Sequence, residues 1–309
     1  MLASTSVNAV PAPPTHDPRK TYDPSSVLTR PAGLPDVVLR WADHADGVAE
    51  VWLPPTGFGA APEPAPLLYA VHGGFWRQRY DRRHLRPLAQ ALCGLGWAVV
   101  VPEYARIGGR HRAAGLDAPW PLLADDLRTL RRLVPQMLAE VAPGRITADR
   151  PVLVGHSAGG QLALWWALDA RGGREGPLSQ PRHVLALAPV ADLARARAER
   201  LGDGAVAALL GSDTAPSAAV SGPDIAARLR AGEHPEECSL HVLHGTDDVQ
   251  VPVVHSTDLA ADASALDVRV LPDVEHFALI DPLSAAWPDV AAALPPLGST
   301  PPPPRPSAT

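Results

Sequence analysis

Lysine is almost missing from this 309-residue chain: Lys20 is the only one, so nearly all positive charge is arginine. With the excess of alanine and proline, that reads as codon bias rather than as function. Cysteine is equally scarce. Cys93 lies in a helix-like stretch and Cys238 at the start of a strand-like one. Two such thiols make no disulfide framework and read as buried free thiols. No apolar run approaches the roughly 18 residues that a membrane span needs. Met1–Lys20 carries neither a basic n-region nor an apolar h-region, so no secretory signal is expected and the expected location is cytoplasmic. The phosphate-loop pattern G-x-x-x-x-G-K-[ST] is absent, as are H-E-x-x-H and any cysteine pair at ligand spacing. His241 and His244 stand three apart on a strand and point to opposite faces, so they do not chelate one ion. No metal and no other cofactor is expected. A net charge of −6 and a pI near 6.0 give no reason to expect nucleic acid or an acidic membrane surface as partner.

What the chain does have is a soluble composition, 46% hydrophobic with a mean hydropathy of −0.02, and a length that allows one full core. Residues 1–35 are rich in Pro, Ser, Thr and Ala without periodicity and read as an irregular arm. Residues 295–309 contain four consecutive prolines and read as a disordered Pro-rich tail. One domain, 36–294, lies between them. Its first runs, 37–41 and 48–53, suggest an antiparallel pair. A continuous apolar run follows at 67–71, and further strand-like runs at 97–101, 151–154, 183–188, 240–243 and 268–271. They alternate with helical stretches at 83–95, 121–140, 161–170, 252–265 and 282–293. Buried strands alternating with helices call for a mostly parallel sheet covered on both faces. The exception is 191–237, helical in patches and without a strand, which reads as a small helical cap.

The stretch that organises the rest is Val152–Gly160, three apolar residues running into Gly155-His156-Ser157-Ala158-Gly159 and then a helix. This G-x-S-x-G in strand–turn–helix context is a nucleophile elbow, which lifts a serine hydroxyl off the end of a buried strand. A serine needs a histidine base, and the base needs a carboxylate to fix its tautomer. His276 follows the run 268–271 and fits the base. The acid falls in His244-Gly245-Thr246-Asp247-Asp248; either aspartate is within reach, and Asp248 is favoured because this segment resembles an H-G-x-x-D-x-x-V-P motif. Amides of Ala158, Gly74 and Phe75 are the expected oxyanion donors, the last two from the loop His72-Gly73-Gly74-Phe75-Trp76. His72 reads as a brace for that loop, and His156 as a spacer with a packed ring. Trp76 and Trp120 are placed where they would wall a substrate pocket, with packing in the core as the alternative, for Trp76 above all. Arg77, Arg79, Arg82, Arg83 and Arg86 form a basic cluster that reads as a solvated helix face, with an anion site as the alternative.

Elbow, oxyanion loop, acid and base together resemble the α/β-hydrolase superfamily over residues 37–294. The resemblance implies that fold, with Ser157, Asp248 and His276 as its nucleophile, acid and base. His72-Gly73-Gly74-Phe75-Trp76 further resembles the H-G-G-x-W signature of the kynurenine formamidase (arylformamidase) branch. Phe75 departs from it, since that branch often carries tyrosine there and a phenol for substrate contact is lost. The resemblance implies hydrolysis of a small ester or amide, with N-formylkynurenine as the leading substrate. A general short-chain carboxylesterase is the alternative, and a silent hydrolase fold used for binding is a third reading. The oligomeric state is left open, a homodimer included.

Overall fold

The computed structural model describes residues 23–56, 64–110, 114–170, 180–211, 222–235 and 237–297. Most of the expected N-terminal arm and Pro-rich tail, and part of the cap stretch, lie outside them.

Eight strands form one sheet in the order β1-β2-β4-β3-β5-β6-β7-β8. They are β1 Val37–Arg40, β2 Val48–Trp52, β3 Ala65–Val71, β4 Ala98–Pro102, β5 Ile146–His156, β6 His183–Leu187, β7 Ser239–Gly245 and β8 Leu266–Leu271. β2 runs antiparallel to both its neighbours and every other pairing is parallel. β2, β3, β4 and β6 are buried on both sides, so their side chains divide by alternation, while the edge strands β1 and β8 are partly exposed. Leu67, Tyr69 and Val71 of β3 enter one core, and Leu68 and Ala70 the other. The first core is closed by α2 (Trp120–Val141) and α3 (Ala158–Ala170). The second is closed by α1 (Arg86–Gly94), the 3₁₀ turns Pro24–Leu28 and His276–Ile280, and the last helix. In α2 the stripe Leu123, Leu127, Leu130, Val134 and Leu138 is buried at helical spacing, which is what pins that helix to the sheet. This is the α/β-hydrolase fold. Among the described residues no helix is long and apolar enough to cross a membrane.

Two elements differ from the sequence reading. The last helix is Trp287–Ala292, not 282–293. Asp281 accepts from the Leu283 amide at 2.9 Å and the Ser284 hydroxyl donates to the Ala278 carbonyl at 2.6 Å, so this stretch is a side-chain-pinned turn. Pro288 then stands in the first turn of the helix, where its missing N–H costs nothing. β5 begins five residues before the apolar run. Ile146 and Thr147 pair with Ala65 and Pro66 although their neighbours Asp149 and Arg150 look like loop. Between β6 and β7 the chain forms helices Leu193–Ala198, Leu201–Leu210 and Ile225–Arg230. Cys93 and Cys238 are free and half-buried, and burial pushes their thiols up to about 11 and about 12.

Candidate active site

Parallel strands deliver their following loops to one edge of the sheet, and four of those loops supply the site. β5 ends at His156, and Ser157 turns into α3 with φ +57°, a left-handed conformation that an L-residue adopts only under local constraint. The constraint is visible. The Ser157 amide donates to the Leu187 carbonyl at 2.8 Å, and its carbonyl accepts from Gly160, Gln161 and Val190. Gly159 is required by a close approach: a Cβ there would stand 2.1 Å from the Val71 carbonyl oxygen and 2.4 Å from that of His72. Gly159→Ala is therefore expected to cost about 2 kcal/mol or more through overpacking, read as a lowered urea midpoint with an unchanged slope.

The oxyanion loop passes beside this serine. A Cβ on Gly73 would lie 2.9 Å from Ser157 Cβ. Gly74, Phe75 and Trp76 all have positive φ (+105°, +50° and +54°), so the backbone curls back on itself after β3. At Gly74 a side chain is excluded twice, by φ and by Tyr80, whose Cβ would stand 2.5 Å away. Ala158 is buried at the first position of α3. His72 anchors the base of the loop. Its Nδ1 lies 2.9 Å from the Gly73 carbonyl and its Nε2 2.6 Å from Glu103, and the Tyr104 hydroxyl donates to its carbonyl at 2.6 Å. Burial opposes the Glu103 charge, but His72 beside it and the neighbouring Arg106 hold that carboxyl down to about 2.

The candidate acid and base come from the loops after β7 and β8. His276 Nδ1 lies 2.6 Å from Asp248 Oδ2, and both side chains are buried. Asp248 Oδ1 accepts from the amides of Gln250 (2.9 Å) and Val251 (2.8 Å). Burial works against ionisation of Asp248, but hydrogen bonds from His244 and His276, with the Val251 amide, hold it well below the usual carboxylate range. A charged Asp248 can only accept, so Nδ1 of His276 carries a hydrogen and the lone pair is left on Nε2. Asp247 is exposed, and its carboxylate accepts only from the Thr246 hydroxyl at 3.0 Å among the described residues. No hydrogen bond joins Ser157 to His276 among the described residues. Their proximity comes through His156, whose Nε2 donates to the His276 carbonyl at 3.0 Å and whose ring lies 4.4 Å from that of His276. Hydroxyl–imidazole bonds of this kind are commonly long before substrate arrives.

The two tryptophans do not do what the sequence reading expects. Trp76 is fully buried in the core, with its indole N–H donated to Gln161 at 3.2 Å, so it offers no surface to a pocket. A left-handed φ swings its side chain inward. Trp120 packs edge-on against Trp165 at 5.2 Å and lines a groove of about 650 Å³ between α2, α3 and the 225–230 helix. Neither Ser157, Asp248 nor His276 lines that groove. What does approach the oxyanion loop is the turn Arg200–Gly204. The Phe75 ring lies against Gly202, and Arg77 donates to the carbonyls of Gly202 (2.6 Å) and Asp203 (3.1 Å).

Sequence reasoning missed two residues. His244 is wholly buried, with Nε2 facing the Val251 carbonyl at 2.8 Å and Asp248 Oδ2 at 3.3 Å, and Nδ1 2.8 Å from the Ser256 hydroxyl. The signal was its place at the end of β7, four residues before Asp248. His156 reads in the sequence as a spacer, yet it holds the main chain of His276; burial pushes it well below the ordinary histidine range, so it stays neutral. Among the described residues no three His, Cys, Asp or Glu side chains are grouped to hold a metal.

Comparison with known proteins agrees with this geometry at the level of fold. No curated protein matches the chain. Among solved structures it is similar to esterase B from Lactobacillus Rhamnosis (HN001), at 19% identity over 87% of each chain with a TM-score of 0.64. It is also similar to an acetyl ester-xyloside bifunctional hydrolase from Caldicellulosiruptor lactoaceticus, at 18% identity over 79% of this chain and 88% of that one, TM-score 0.58. Thermogutta terrifontis esterase 2 phosphonylated by sarin matches at 20% identity over 84% and 92%, again with a TM-score of 0.58. The BD-FAE family model matches residues 53–262, a span that holds Ser157 and Asp248 and stops short of His276. With about two thirds of its length covered, the chain belongs to the BD-FAE family.

Proposed function

We propose that the chain is a serine hydrolase of small carboxylic esters or amides. The observation that carries this reading is the buried Asp248–His276 pair at 2.6 Å, beside a serine held at φ +57° on a nucleophile elbow. His276 Nε2 takes the Ser157 proton as Oγ attacks the carbonyl carbon. Asp248 keeps Nδ1 protonated and steadies the imidazolium. The new oxyanion is met by the amides of Ala158, Gly74 and Phe75. His276 then passes its proton to the leaving oxygen or nitrogen, and water resolves the acyl-enzyme by the same steps in reverse. Esterases of the same fold, one of them phosphonylated by sarin, support this chemistry.

Within that class a short-chain carboxylesterase is the better-supported reading, and the arylformamidase reading rests on His72-Gly73-Gly74-Phe75-Trp76 alone. Both call for a small acyl group, which the turn Arg200–Gly204 favours by seating itself on the oxyanion loop at Phe75. Measured on 4-nitrophenyl esters, kcat/KM is expected to fall steadily from acetyl to octanoyl, by about tenfold or more. A rise with chain length contradicts the small-acyl reading. N-formylkynurenine assayed beside the acetyl ester separates the two: turnover of both ester and formamide supports the formamidase reading, and turnover of ester alone removes it.

A further inference from the structure

The arginines that follow the oxyanion loop are not equivalent. Arg77 is spent on the carbonyls of Gly202 and Asp203. Arg82 and Arg86 both reach the buried carboxylate of Glu50, Arg86 through two bonds of 2.7 and 2.6 Å. That leaves two. Arg79 lies over the Tyr80 ring at 4.8 Å and has no carboxylate partner among the described residues. Among the described residues Arg83 is ion-paired only with Asp81, at 3.5 Å, and its side chain is 64% exposed.

Both line a cavity of about 320 Å³, with Tyr80, His84 and Arg86 on one side and the segment Leu28–Ala32 on the other. Burial pushes His84 down to about 3, so it is a neutral wall and not a cation. Among the described residues Asp81 is the one carboxylate in the lining, against four arginines. Two of its walls touch the candidate oxyanion loop, although Ser157, Asp248 and His276 are not among its lining residues. Tyr80 abuts Gly74 of the oxyanion loop, and the His84 ring meets that of His72 at 5.7 Å. Across the cavity, Arg30 is ion-paired with Asp281, the residue that ends the turn bearing His276. A leaving group departs on the side of the base, because the base protonates it.

We propose that this cavity binds an anionic substituent on the leaving group, through Arg79 and Arg83, so that the preferred substrates are esters of carboxylate-bearing alcohols or phenols. This rests on the hydrolase reading above. Exposed guanidinium groups such as these bind a carboxylate weakly in water, but a preference of about fivefold is within the range of one or two such pairs. It also weakens with salt.

The test is a matched pair, 4-acetoxybenzoate and its methyl ester, which differ chiefly in one negative charge. Wild type at low salt is expected to show a kcat/KM for the anion about fivefold above that for the methyl ester. In the double variant Arg79→Gln/Arg83→Gln, and in wild type at 0.5 M sodium chloride, the ratio falls to one or below, because the carboxylate-bearing phenol is intrinsically the poorer leaving group. Because both esters are read on one protein sample, a general loss of active enzyme cancels from the ratio. Turnover of the methyl ester without a preference for the anion overturns the cavity and leaves the hydrolase reading standing. A preference that survives the double variant overturns the assignment to these arginines. Turnover of neither ester, with Ser157 unlabelled by a fluorophosphonate, overturns the hydrolase reading and the cavity with it.

Discussion

Ser157→Ala is expected to abolish turnover of every ester and amide the wild type accepts, by about 10⁴-fold or more, while leaving the fold intact. The loss is large because nothing else near the elbow replaces the nucleophile. His156 is neutral and turned toward the His276 carbonyl, and Glu103 is locked against His72 behind the oxyanion loop. The fold survives because the bonds that shape the elbow are made by the main chain of Ser157: its amide to Leu187, and its carbonyl to Gly160, Gln161 and Val190. An alanine at φ +57° makes the same bonds and bears comparable strain. Ser157 Oγ makes none of the hydrogen bonds that hold the turn. Fluorophosphonate labelling should disappear in parallel, with the thermal midpoint within a few degrees of wild type. More than a few per cent of residual turnover, with contaminating hydrolase excluded by labelling, removes Ser157 from its role.

The middle of the sheet was legible because its strands are buried on both faces. Runs such as Leu67–Val71 and Trp97–Val101 have no polar alternation to confuse, and each is followed by a stretch with helical spacing. The boundaries were less legible where side chains pair across distance, as at the start of β5, where Ile146 and Thr147 join β3 despite the charged residues that follow. The candidate triad was legible because each of its members sits directly after an apolar run. Second-layer contacts were not. That His244 reaches Asp248 depends on how the turn after β7 folds back, and that His156 holds His276 depends on a contact 120 residues away. Trp76 shows the limit most plainly. Its position in sequence says that it follows the oxyanion loop, but only the left-handed backbone from Gly74 to Trp76 says that its ring points into the core. The arginine cluster divides for the same reason: which of five similar side chains finds Glu50 is a matter of where β2 lies, not of spacing.

Asp248→Asn is expected to lower kcat by roughly 10³- to 10⁴-fold, and Asp247→Asn by less than about twofold. The two neighbours differ in what they face. Asp248 Oδ1 is committed to the amides of Gln250 and Val251, which fixes the carboxylate plane. In the asparagine variant the oxygen stays on those two amides, so the NH₂ group takes the place of Oδ2. It then confronts Nδ1–H of His276 at 2.6 Å and Nε2 of His244 at 3.3 Å, two nitrogens that now have a donor where they had an acceptor. The His276 proton is driven to Nε2, the nitrogen that should receive the Ser157 proton, and the base is lost although its position is kept. Asp247 is exposed and among the described residues its side chain bonds only Thr246, while its place in the loop is set by its amide on the Val274 carbonyl, which the substitution leaves alone. Raising the pH should recover part of the Asp248→Asn loss, as hydroxide substitutes for the missing base, whereas wild type should reach a plateau. The measurement is kcat against pH for both variants, with far-UV circular dichroism as the control for folding. A large loss in Asp247→Asn with a small one in Asp248→Asn would place the acid one residue earlier and break the pairing of Asp248 with His276.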